Sequence, residues 1–148
     1  MTRVILRVKK LHPDAILPSY AHPGDSGLDI YSVEDVIVKA GKRAIVHTGI
    51  AMEYPDNYCT LIWDKSGLAG NSGITVLGGV FENIYKGEYK IILFNTSEED
   101  YFIKKGSKIA QILVQPIINA DVEEVQELND SIGGVDGFGS TGLEKKAN

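Results

Sequence analysis

Almost nowhere in this chain do apolar residues recur at the 3.6-residue spacing of a helix. They come instead in short runs rich in β-branched and aromatic residues, each closed by a turn signal. Such runs are Val4–Val8, Leu28–Ser32, Val36–Val38, Arg43–Met52, Cys59–Trp63, Ile74–Val76, Tyr89–Asn95, Lys108–Pro116 and Val122–Leu128. Between them stand Pro23-Gly24-Asp25, Ala40-Gly41-Lys42, Pro55-Asp56-Asn57, Gly78-Gly79 and Lys105-Gly106-Ser107. Only Ser66–Asn71 and Ser97–Asp100 read as a helical turn or two. Short strands have to bury one face against another sheet, so the chain is expected to be all-β: a sandwich, barrel or jelly roll. No repeat or linker interrupts the first 128 residues, which read as one β domain. Residues 129–148 read as a flexible, glycine-rich C-terminal arm.

Charge and cysteine content narrow the function. A formal net charge of −5 argues against a general nucleic-acid binder, yet local cations and a bridging metal still allow a small anionic substrate. Cys59 is the single cysteine, so no disulfide forms within the chain, and a reducing, cytoplasmic setting is expected. The N-terminal run is broken by charges too often for a signal peptide, and no apolar run approaches a membrane span. His12, His22 and His47 lie far apart, which argues against a structural zinc site and a serine–histidine triad. No phosphate-loop or dinucleotide fingerprint is present.

Five segments carry candidate chemistry. Asp29 stands in an otherwise apolar strand start, where an acid is either an edge residue or an organiser of water near a metal. Asp64-Lys65-Ser66-Gly67 follows a strand and opens a helical turn, a place where a cation, a hydroxyl and free N–H groups meet an anion. Gly78 to Gly87 reads as a β-hairpin whose backbone at Gly78, Gly79 and Val80 can present donors and acceptors to a base edge, with Glu82 and Tyr85 near its tip. Gln111 is a polar residue inside an apolar strand and needs partners there. Last, Gly137-Phe138-Gly139-Ser140-Thr141-Gly142 combines backbone freedom, a flat aromatic face and two hydroxyls.

In this order and at these separations the segments resemble the five motifs of the trimeric all-β dUTP diphosphatases (dUTPases). Gly27-Leu28-Asp29-Ile30-Tyr31-Ser32 is similar to the first motif and Lys65-Ser66-Gly67-Leu68-Ala69 to the second. Gly79-Val80-Phe81-Glu82 through Tyr85-Lys86-Gly87 is similar to the third, Gly106 to Gln111 to the fourth, and the Gly-Phe-Gly-Ser-Thr-Gly tail to the fifth. The resemblance implies a jelly-roll or distorted β-barrel subunit, assembled as a homotrimer with sites at the subunit interfaces. The implied reaction is hydrolysis of dUTP to dUMP and pyrophosphate, with Mg²⁺ held by the substrate phosphates and no direct protein ligand. Glu82 would orient the attacking water, and Asp29 would support the water network beside the metal. Tyr85 would pack under the deoxyribose, and Gly78–Val80 would read uracil. Lys65, Ser66, Gly67 and Gln111 would contact phosphates. Phe138 would cover the base while Gly139, Ser140 and Thr141 close on the terminal phosphate. No nucleic-acid or membrane partner is implied.

Three positions depart from the family pattern. Glu82 stands for an aspartate, which moves the carboxylate by ~1.5 Å, one C–C step. Asp64-Lys65 stands for proline–arginine, so a point charge replaces a bidentate fork. No arginine precedes the glycine-rich tail in Ser131–Asp136. These leave open a protein of the same fold that binds nucleotide with weak or no hydrolysis. A deaminase relative acting on dCTP is the more distant alternative.

Overall fold

Residues 3–132, 134–135, 137–139 and 141–144 are described by the computed structural model. They fall into two units, Met1–Ile118 and Asn119–Asn148. The first holds all the regular structure: β1 (Arg7–Lys10), β2 (Leu28–Tyr31), β3 (Val36–Val38), β4 (Arg43–His47), β5 (Ile50–Glu53), β6 (Tyr58–Trp63), α1 (Ser66–Ser72), β7 (Ile74–Leu77), β8 (Val80–Phe81), β9 (Lys90–Asn95), β10 (Tyr101–Ile103) and β11 (Lys108–Pro116). Every pairing is antiparallel. The ladders make a four-stranded sheet β2-β11-β6-β8, a three-stranded sheet β4-β9-β7, and the pairs β1-β5 and β10-β3. The fold is thus all-β and of jelly-roll type, and its sheets do not close into a barrel.

The core between the sheets is built from alternating strand residues, among them Ile30, Val46, Ile50, Ile91, Leu93 and Ile112, with the ring of Tyr89 among them. The expected single strand Arg43–Met52 is two strands. Gly49 adopts φ 68°, a conformation open to glycine at little strain, and there the chain leaves β9 to pair with β1. The expected hairpin at Gly78–Gly87 is not one either: Val80 and Phe81 pair with Leu61 and Thr60 of β6, while β9 pairs with β4 and β7. Residues 78–89 therefore form a loop that crosses from one sheet to the other and back. Ser97–Asp100 makes bends rather than a helical turn, and Tyr101–Ile103 adds a strand that pairs with β3. Val122–Leu128 forms no strand. Its apolar residues Val122, Val125 and Leu128 recur every third position, so an extended chain would alternate them between faces and give neither face an apolar surface.

Candidate functional site

The expected site residues of the first unit gather in two places. One is the junction of β2, β11 and the start of α1. Gln111 of β11 lies opposite Asp29 of β2 on one side and Trp63 of β6 on the other. The register between β11 and β2 shifts between Lys108 and Ala110, a bulge of the kind that re-aims a side chain. It brings the Lys108 Nζ to 2.6 Å from the Oδ2 of Asp29. From the other side the Lys65 Nζ donates to the Asp29 Oδ1 at 2.5 Å. Burial alone would push the Asp29 carboxyl up, but the two ammonium groups hold it below the usual carboxylate range, and Asp29 in turn raises Lys108. Among these three groups, two lysines against one carboxylate leave a formal surplus of one positive charge, suited to an anion.

Asp64, a substitution in the second motif, adds no unpaired negative charge to this place. Its Oδ1 accepts the Val76 N–H at 2.6 Å and its Oδ2 the Thr75 hydroxyl at 2.8 Å, tying the end of β6 to β7. The Gln111 Nε2 donates to the Asp64 carbonyl at 2.8 Å, which spends one of its two amide hydrogens. Gly27 allows this packing, since a Cβ there would fall 2.2 Å from the Gln111 Oε1. Ser66 and Gly67 lie in the first turn of the seven-residue helix α1, which ends at Gly73 in the left-handed conformation.

The second place is the crossing loop. Gly78 and Gly79 have φ of 72° and 105°, and the Gly79 carbonyl accepts the Ile62 N–H at 2.7 Å. Together with Ile62, Trp63, Val76 and Val80 they line a cleft of about 260 Å³. Beyond β8 a tight turn closes with the Tyr85 N–H donating to the Glu82 carbonyl at 3.0 Å. Glu82 is exposed, and among the described residues its carboxylate has no hydrogen-bond or ion-pair partner. The Tyr85 hydroxyl donates to the Glu88 carbonyl at 2.8 Å, and its ring tilts against Phe81. Glu88 is itself anchored, its carboxylate accepting from the Gly49 N–H and facing the His47 Nδ1, each at 2.9 Å. Among the described residues no hydrogen bond or ion pair joins this loop to the Asp29 cluster.

In the second unit Phe138 has φ 45° and an exposed ring, flanked by Gly139 at φ 99°, and the Gly142 N–H donates to the Gly139 carbonyl at 2.9 Å across Thr141. Ser140 lies outside the described residues, as do Gly133 and Asp136 of the preceding loop. Asn95, the last residue of β9, is fully buried. Its Nδ2 donates to the Val38 and Glu99 carbonyls and its Oδ1 accepts from Ser97.

Residues 13–142 match the family model described as dUTPase. The chain belongs to the dUTPase family. It is 48% identical over 144 residues to a deoxyuridine 5′-triphosphate nucleotidohydrolase of Clostridium acetobutylicum, covering 96% of this chain and 99% of that one. It is 49% identical over 138 residues to the enzyme of the same name from Paramecium bursaria Chlorella virus 1, at 93% and 98% coverage. Among solved structures, the Staphylococcus bacteriophage 80alpha dUTPase with dUPNHPP superposes with a TM-score of 0.88 at 28% identity, over 94% of this chain and 99% of that chain. The five motifs leave out Glu88 and the buried Tyr54, Thr60 and Tyr89, while Lys108 lies inside the fourth motif but was not among the expected site residues. Of these only Thr60 is an inward strand residue, and periodicity alone does not distinguish such residues from packing.

Proposed function

We propose that this dUTPase hydrolyses dUTP to dUMP and pyrophosphate. The observation that carries this reading is the Glu82 carboxylate, exposed and without a partner among the described residues, at the end of β8 beside the glycine-lined cleft and Tyr85. Glu82 accepts a proton from water as its oxygen attacks the α-phosphorus. The bond from the α-phosphorus to the bridging oxygen breaks and pyrophosphate leaves. The backbone of Gly78–Val80 presents fixed donors and acceptors to uracil and mismatches cytosine. The Tyr85 ring, held by its bond to Glu88, packs under the deoxyribose where a 2′-hydroxyl would collide.

Lys65, Ser66, Gly67 and Gln111 meet the phosphates, drawn by the surplus charge around Asp29. Phe138 covers the base, and Gly139, Ser140 and Thr141 close on the terminal phosphate. Among the described residues no three His, Cys, Asp or Glu side chains are grouped to hold a metal ion, and Asp29 is already paired with two lysines. Magnesium enters with the triphosphate, as part of the substrate, and neutralises its charge. The working assembly is a homotrimer whose sites combine segments of different chains. That no hydrogen bond or ion pair joins the Asp29 cluster to the Glu82 carboxylate among the described residues is in keeping with that reading. So are the exposed cross-strand neighbours Ile37 and Phe102. Among the described residues no helix is long and apolar enough to cross a membrane. A cytoplasmic location agrees with the single thiol, Cys59. The test is release of pyrophosphate from each deoxynucleoside triphosphate with magnesium present. dUTP is expected to be preferred, and a Glu82→Gln variant as active as the parent would refute the role of Glu82.

A further inference from the structure

The loop that carries Glu82 is held from behind by a buried hydroxyl network. Tyr54 follows β5 and is 5% exposed. Its hydroxyl donates to the carbonyl of Phe81, the residue before Glu82, at 2.7 Å. Its own carbonyl accepts the Asn83 Nδ2, from the residue after Glu82, at 2.5 Å. We propose that Tyr54 is a positioning residue for Glu82, gripping the chain on both sides of the carboxylate. This rests on Glu82 as the group that orients the attacking water.

The network behind Tyr54 has a direction. Thr60 Oγ1 lies 2.7 Å from the Tyr89 hydroxyl and 3.4 Å from that of Tyr54. Each hydroxyl has one proton, and the Phe81 carbonyl has none to give, so Tyr54 donates to Phe81. The protons then all find acceptors when Tyr89 donates to Thr60 and Thr60 to Tyr54. Burial raises the Tyr89 phenol far above its ordinary value, so it stays protonated as the first donor. The Phe81 and Tyr89 rings stack at 4.1 Å with a 12° interplanar angle, fixing the same segment through its side chain.

Three buried hydroxyls are a demanding way to fill this space. Phenylalanine and valine of similar volume would pack there without a desolvation penalty. What the hydroxyls add is direction, and they aim it at the peptide unit that joins Phe81 to Glu82. A glutamate has one more rotatable bond than an aspartate, so its oxygens already spread further about Cα, and a held backbone keeps a second source of spread from being added. A general base has to stay within about 0.5 Å of its productive position.

The test compares kcat and KM for dUTP with magnesium in Tyr54→Phe, Asn83→Ala, Glu82→Gln and a remote core variant, Val46→Ala, alongside thermal unfolding of each. Tyr54→Phe and Asn83→Ala are expected to lower kcat by about tenfold to a hundredfold, the scale of a ~1 Å misplacement, with KM within about twofold. Val46→Ala is expected to lower the melting temperature without that loss of kcat. If Tyr54→Phe does not fold, Asn83→Ala gives the same reading, since it leaves the hydroxyls in place. The proposal is overturned if the folded variants keep kcat within twofold, or raise KM alone, while Glu82→Gln is inactive. A fully active Glu82→Gln overturns the reading of Glu82 itself.

Discussion

Gly78 and Gly79 stand side by side in the crossing loop, and the structure sets them apart sharply. A methyl group at Gly78 meets nothing within 4 Å, whereas at Gly79 it falls 2.8 Å from the backbone carbonyl oxygen of Ile62. That oxygen belongs to the residue whose N–H binds the Gly79 carbonyl at 2.7 Å, so relief of the clash stretches the bond that docks this loop on β6. For Gly78→Ala, left-handed strain of about 1–2 kcal/mol is offset by about 0.4–1 kcal/mol of lost freedom in the unfolded chain. The net cost is about 0.5–1 kcal/mol. For Gly79→Ala, φ of 105° lies beyond the left-handed well and costs about 1–3 kcal/mol. The weakened hydrogen bond adds about 1 kcal/mol, and with the same offset the net cost is about 2–3 kcal/mol. The difference of about 2 kcal/mol corresponds to a melting temperature about 4–8 °C lower for Gly79→Ala than for Gly78→Ala. Both are measured by circular dichroism at equal protein concentration, because association would make the midpoint depend on it. The shift also carries Val80, Phe81 and Glu82 with it, so kcat/KM for dUTP falls further in Gly79→Ala. Midpoints within 1 °C of each other would refute the claim that the Ile62 carbonyl fixes this loop.

Asp29 has a depressed folded-state pKa, so its ion pairs contribute stability above its unfolded value near pH ~4 and lose it as pH falls through the folded value. Asp29→Asn is expected to cost about 1–2 kcal/mol at neutral pH, discounted for the part-exposed lysines, and to flatten the acid limb of a urea-unfolding series from pH 3 to 7. Tyr85→Phe loses its bond to the Glu88 carbonyl and is expected to reduce discrimination of dUTP over UTP about fivefold, the equivalent of one ~1 kcal/mol hydrogen bond. Tyr85→Ala should lose much more, and a Tyr85→Ala that still rejects UTP would remove Tyr85 from the sugar site.

Wherever local pattern and packing agree, the chain's own residues announce the structure. Val36–Val38 and Lys108–Pro116 are read correctly end to end, because turn residues bound them and their apolar positions fall on inward faces. The proximity of Asp29, Lys65 and Gln111 was legible through the order of their motifs, which local sequence preserves, while Glu82 and Tyr85 stand in a separate loop. Pairing partners were not legible. Val80-Phe81 looks like one arm of a hairpin spanning Gly78–Gly87, yet it pairs instead with Leu61 and Thr60 of β6, more than fifteen residues back. Lys108 reads as a strand-end cation until a bulge points it at Asp29.

What the sequence by itself determined was the class of fold, the family and the chemical vocabulary of the site. All three depend on residue types at fixed local spacings. Tertiary structure alone decided which charges cancel. Asp64, a misplaced acid by sequence, satisfies Thr75 and Val76, and Asp29 is ion-paired by two lysines from different segments. It also decided that Tyr54, far from the third motif along the chain, holds both neighbours of Glu82. The physical reason is the same in each case. A buried polar group must find its partner in space, and the partner's distance along the chain leaves no periodic trace.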